Sequence, residues 1–82
     1  MSDELREQVR AYVTKRFPAV RERGLGDEDS LLDSGAIDSL GILDLATFIS
    51  GDLGIELGDD DLTPENFDTI SSLVSFLAQK RG

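Results

Sequence analysis

Eighty-two residues, 39% of them apolar and 30% charged, are enough for one modest core and too few for two. The chain has no cysteine and no histidine, which excludes disulfides, thiolate and imidazole metal sites, and every Ser/His or Cys/His catalytic pair. The net charge of -9 is unevenly placed: residues 1–23 hold six Lys/Arg against four acids, residues 24–79 hold thirteen acids and no Lys or Arg, and Lys80 and Arg81 follow.

Leu5, Val9, Tyr12, Val13 and Phe17 share one helical face, with Ser2 as a cap, Asp3 and Glu4 at the positive end of the dipole, and Pro18 as a stop. A first helix is expected near residues 3–17. Over 18–37 the period is lost; Gly24, Gly26 and Gly35 act as hinges, and Leu25, Leu31, Leu32 and Ile37 as anchors of a long, partly pinned loop.

A second helix is expected near 39–52. Projected at about 100° per residue, it carries two apolar stripes, where a small bundle needs one. Ile42, Leu45, Ala46 and Ile49 lie together as the core stripe. Leu40, Leu43 and Thr47 lie opposite, beside Asp44, with Phe48 on the flank. The second stripe is either surplus apolar surface for a partner or a cover for the preceding loop.

After Gly51, Gly54 and Gly58 comes the acidic turn Asp59-Asp60-Asp61. The roughly twelve-residue spacing of a calcium loop fails there, because Pro64 and Ile70 fall where Gly and Glu are required, so no metal site is expected. Thr63-Pro64 opens a very short third helix near 64–67. Asp68 or Thr69 caps a last helix near 69–80, with Ile70, Leu73, Val74 and Leu77 in helical period. The fold class expected is all-α, a bundle of three main helices and one short third helix, forming a single domain over 1–82.

No apolar run reaches the roughly 18 residues of a membrane span, and the N-terminus lacks the pattern of a signal peptide. A cytoplasmic, free-standing monomer is expected. An acidic middle repels nucleic acid and complements a basic protein partner, although acids also serve solubility alone. Ser-Lys catalysis would need Lys15 or Lys80, and neither position suits a general base. The chain is not expected to be an enzyme.

Three Asp-Ser pairs occur close together: Asp29-Ser30, Asp33-Ser34 and Asp38-Ser39. Only the third opens a long helix. With Asp38 as N-cap, Ser39 falls in the first turn with its hydroxyl toward solvent, where helix N–H groups and the dipole favour an anion. Ser39 is then either a modification site or merely a second capping residue.

The stretch Leu31-Leu32-Asp33-Ser34-Gly35-Ala36-Ile37-Asp38-Ser39-Leu40 resembles the phosphopantetheine attachment region of acyl and peptidyl carrier proteins. Asp38-Ser39-Leu40 matches their Asp-Ser-Leu motif, a triplet repeated here as Asp29-Ser30-Leu31. Leu53-Gly54-Ile55-Glu56-Leu57 and Glu65-Asn66-Phe67-Asp68-Thr69-Ile70 extend the resemblance to nearly the whole chain. It implies an acyl-carrier-like bundle and a protein that carries cargo without catalysing. A phosphopantetheinyl transferase would join 4'-phosphopantetheine from coenzyme A to Ser39, with Asp38 beside it, and cargo would be held as a thioester on the added thiol. Leu40, Leu43, Asp44 and Thr47 would dock partners, among them an acyl- or aminoacyl-loading ligase or synthase and a downstream transferase. Fatty-acid carriers typically place several Glu on the second helix, whereas here Asp44 stands alone until Asp52 and Gly41 follows the motif. Specialised acyl or aminoacyl transfer is therefore favoured over housekeeping fatty acid synthesis. The competing reading is an unmodified acidic module that binds a basic partner through the second helix.

Overall fold

The structure, a computed structural model, describes residues 2–81 and the side chains of residues 4–80. The cap expected of Ser2 and the dipole role expected of Asp3 fall outside those side chains. The described chain is all-helical, with five α-helices and no strand. No helix among the described residues is long and apolar enough to cross a membrane.

Helix α1, Ser2–Arg16, buries Leu5, Val9 and Val13, a row spaced by four, and packs most extensively on α5, Ile70–Arg81. From α5, Ile70, Leu73, Val74 and Leu77 are buried in the same core. Pro18 does more than stop α1. It opens α2, Pro18–Glu22, so the loop expected over 18–37 begins with a helix. Proline disfavours the α region for Phe17, which sits at φ -121° and ψ 87°, yet its own fixed φ suits a first helical position. Val20, buried to 1% exposure, anchors this short helix in the core. Its end is a Schellman motif: Gly24 takes φ 64°, its N–H donates to the Arg21 carbonyl, and the Leu25 N–H donates to the Val20 carbonyl.

The segment from Leu25 to Asp38 is held down at several points. Asp27 receives Arg6 Nη1 at 2.7 Å and Arg10 Nη1 at 2.9 Å, and its carbonyl takes the Ser71 N–H at 3.0 Å. The Leu31 N–H donates to the Asp68 carbonyl at 2.6 Å, while Leu31 and Ile37 are buried in the core. These contacts deliver the chain to α3, Ser39–Gly51, in a fixed orientation.

Beyond α3 an extended segment is fixed by Ile55, whose side chain is buried and whose N–H donates to the Ile49 carbonyl. A single 3-10 turn follows at Asp59–Asp61, then α4, Pro64–Phe67, which seats Phe67 in the core. Thr69 caps α5 reciprocally with Ser72: Ser72 N–H donates to Thr69 Oγ1 at 2.9 Å, and Thr69 N–H donates to Ser72 Oγ at 3.1 Å. Lys80 lies within α5 and pairs with Asp61 at 2.5 Å, so this end of the helix is tied to the acidic turn.

Candidate functional site

The N-terminus of α3 is built by Asp38. With φ -114° and ψ -170° it stands in extended backbone, its Oδ1 accepts the Gly41 N–H at 2.9 Å, and its carbonyl accepts the Ile42 N–H at 3.0 Å. The Ser39 and Leu40 N–H groups have no acceptor among the described residues. Ser39 is exposed, and its hydroxyl makes no hydrogen bond to any described residue.

The other two serines of the Asp-Ser pairs are engaged. Ser30 Oγ donates to Asp68 Oδ1 and accepts the Asp33 N–H at 3.0 Å. Ser34 Oγ donates to the Leu31 carbonyl at 3.1 Å and accepts the Ala36 N–H at 3.3 Å. Of the two Asp-Ser-Leu triplets, one has its Leu31 buried in the core, and the other has its Leu40 71% exposed at the start of α3. An exposed hydroxyl without an internal partner, next to two free N–H groups at the positive end of a helix, fits a phosphodiester. The Asp38 carboxylate would oppose the added charge, but one of its oxygens is already turned to the Gly41 N–H.

The two stripes of α3 separate by exposure. Leu45 and Ile49 are fully buried, with Ile42 and Phe48 packed against the core, and the Phe48 ring stacks on Tyr12 with centroids 4.0 Å apart. Leu40 and Leu43, at 71% and 54% exposure, face largely outward. Thr47 is exposed, its Oγ1 donating to the Leu43 carbonyl at 3.1 Å. Ala46, placed on the core stripe by the sequence, is only half-buried and lines an open apolar groove of about 510 Å³ with Leu43, Thr47, Gly51, Leu57 and Leu62. Leu45 and Ile49 of α3, Phe67 of α4 and Leu73 of α5 are each 0% exposed and belong to one core cluster.

Asp44 differs from the free docking acid that the sequence implies. Arg16 Nη2 donates to its Oδ2 at 2.6 Å, and both side chains remain partly exposed. Arg16 was not among the residues singled out from sequence. The signal available was the confinement of every Lys and Arg to the two ends of the chain, which leaves the acids of the middle to pair with those ends. The recorded ion pairs do so: Arg6 and Arg10 with Asp27, Arg16 with Asp44, and Lys80 with Asp61.

Comparison with known proteins agrees with this geometry. The chain is 26% identical over 66 residues, 80% of its length and 76% of the relative's, to a protein described as a probable acyl carrier protein, PigG, of Serratia sp. (strain ATCC 39006). Residues 7–77 match the family described as the phosphopantetheine attachment site, whose domain carries 4'-phosphopantetheine covalently and is a carrier without enzymatic activity of its own. With most of its length inside that match, and an open serine at the head of α3, the chain belongs to the phosphopantetheine attachment family of carrier proteins.

Proposed function

We propose that Ser39 is the attachment residue and that this carrier serves specialised acyl or aminoacyl transfer. The observation that carries the first part is the contrast among the three Asp-Ser serines. Ser30 and Ser34 spend their hydroxyls within the loop, and Ser39 Oγ stands free at the end of α3. In the transfer, Ser39 Oγ forms the new O–P bond, the pyrophosphate linkage of coenzyme A breaks, adenosine 3',5'-bisphosphate leaves, and the hydroxyl proton passes to a base on the transferase. The attached arm supplies the thiol that a chain without cysteine lacks.

The chain's own residues supply position and recognition. Asp38 fixes the first turn of α3, and the helix end offers N–H groups to the diester. Leu40, Leu43 and Thr47 form an exposed docking strip beside Ser39, with Asp44 at its edge. Exposed leucines flanked by polar groups are the composition of a transient interface. The second part rests on charge. Asp44 is the sole acid within Ser39–Gly51 and is paired to Arg16, so docking there relies on apolar contact more than on a row of carboxylates. A loading ligase or synthase and a downstream transferase would use the same strip in turn.

The test is intact-protein mass spectrometry after incubation with coenzyme A, magnesium and a broad-specificity phosphopantetheinyl transferase. One phosphopantetheinyl group should appear on the wild type and none on Ser39→Ala. A folded wild-type protein that gains no mass with several transferases would overturn this reading and favour an unmodified acidic module.

A further inference from the structure

Gly41 carries both of the fixings that hold the first turn of α3. Its N–H is the one taken by Asp38 Oδ1 at 2.9 Å, and its bare Cα faces Phe17 and Ile37, two buried residues of the core. A Cβ built there would lie 2.7 Å from Ile37 Cγ2 and 3.3 Å from Phe17 Cζ. Neither neighbour is free to retreat. Ile37 is 2% exposed, and its N–H is held by the Leu31 carbonyl at 3.1 Å. Phe17, 8% exposed, is fixed at the α1–α2 corner, where its N–H donates to the Val13 carbonyl at 2.9 Å. Glycine is a poor residue for a helix, and here it is what allows the turn to lie against the corner.

We propose that Gly41 is a positioning residue for the modification of Ser39: by seating the first turn of α3 on Phe17 and Ile37, it sets where the Ser39 hydroxyl stands. The proposal rests on Ser39 as the attachment residue. Gly41 is buried, so its influence passes through the turn it shares with Ser39 and not through contact with a partner. At about 100° per residue the two lie on nearly opposite sides of α3, Gly41 toward the corner and Ser39 toward solvent. A side chain at 41 therefore pushes the turn, with Ser39 on its outer face, away from the corner, and draws the Gly41 N–H off the Asp38 cap. In the transfer, Ser39 Oγ forms the O–P bond as the pyrophosphate linkage of coenzyme A breaks. Adenosine 3',5'-bisphosphate leaves and the hydroxyl proton passes to a base on the transferase, so attacking and leaving oxygens have to stand in line across phosphorus. A misplacement of about 1 Å can cost such a step about a hundredfold. The smaller push expected here acts on rate more than on binding, because the side chains that a partner meets are unchanged.

The experiment is steady-state phosphopantetheinylation of the full chain by a broad-specificity transferase with coenzyme A and magnesium, with the carrier as the varied substrate. Circular dichroism of each variant checks that the fold is retained. Gly41→Ala should lower kcat about tenfold with KM for the carrier within about twofold, as expected when what is lost matters only in the transition state. Ile37→Ala removes the nearest atom, so the double variant Ile37→Ala with Gly41→Ala should regain most of the lost kcat. Ile49→Val, a buried truncation at the far end of α3, controls for stability alone and should keep the wild-type kcat. An unchanged kcat in folded Gly41→Ala overturns the proposal, as does a loss confined to KM. An equal fall in Ile49→Val also overturns it, because a general loosening of α3 would then be the cause. If Gly41→Ala does not fold, the double variant is compared with Ile37→Ala, and a kcat well below that of Ile37→Ala overturns the proposal. A wild type that is not modified at all overturns the attachment reading and this proposal with it, an outcome distinct from normal modification with unaltered kcat.

Discussion

Gly41 lies directly beneath Phe17: a Cβ added to the glycine would stand 3.0 Å from Phe17 Cε1 and 2.7 Å from Ile37 Cγ2. The first turn of α3 can press against the α1–α2 corner only because this residue has no side chain. Alanine would raise helix propensity by about 1 kcal/mol. It would also crowd a buried, β-branched isoleucine and a buried ring, for which overpacking costs about 1 to 3 kcal/mol. Gly41→Ala should therefore lower the urea midpoint, with a net loss of about 1 kcal/mol. A gain in stability would show that the corner yields at no cost.

Ser30→Ala and Ser34→Ala should both still accept one phosphopantetheinyl group, since neither changes the head of α3. They should differ from Ser39→Ala in stability as well. Ser30 Oγ bridges Asp68 and the Asp33 N–H, joining the loop to the junction before α5, so its loss should cost about 1 kcal/mol in denaturant unfolding. Ser39→Ala removes no recorded side-chain hydrogen bond and should unfold within about 0.5 kcal/mol of wild type. Loss of modification in Ser30→Ala would place the reactive hydroxyl on the other Asp-Ser-Leu triplet.

The helical period carried most of the architecture, because the buried residues of α1, α3 and α5 recur at spacings that only a helix can bring to one face. The short α2 was hidden by Pro18, a residue that reads equally as the stop of one helix and the start of another. Val20, one apolar residue in a five-residue helix, leaves no period to detect. The two faces of α3 were legible from projection, and the exposure of Leu40 and Leu43 follows them. Ala46 departs because Leu57 and Leu62 of the 53–62 segment line an open groove along that flank instead of closing over it. The Arg16–Asp44 pair joins residues 28 apart and depends on the angle between α1 and α3, which no local pattern encodes. The same holds for the clasp of Arg6 and Arg10 on Asp27, which turns a glycine-bearing loop into a pinned one.

Leu45→Ala and Leu43→Ala test the two faces of α3 against each other. Leu45 is fully buried in the core cluster, so truncation should cost about 2 to 5 kcal/mol. Leu43 is 54% exposed, and its truncation should cost under about 1 kcal/mol. In the transferase assay the order should invert: Leu43→Ala should raise KM for the carrier, and Leu45→Ala, if still folded, should change it little. Equal and large stability losses would refute the assignment of the two faces.

Asp61 ties the acidic turn to the last helix, and the tie has a defined pH range. The Lys80 ammonium hydrogen-bonded to Asp61 lowers its pKa below the ordinary value of 3.8, and the Gly58 N–H lowers it further. A carboxylate whose folded pKa lies below its unfolded value stabilises the fold fully above the unfolded value, and that contribution is lost as pH falls through the folded one. The contribution of Asp61 is therefore constant near neutrality and disappears below pH 3.8. Asp61→Asn should be less stable than wild type at pH 7, and the gap should close as the pH drops below that value. Added salt at pH 7 should narrow the gap as well, because the pair lies near the surface. The check is urea unfolding of both proteins across the acid range at fixed ionic strength. A gap that persists undiminished at the lowest pH would mean that Asp61 acts through the shape of the turn and not through its charge.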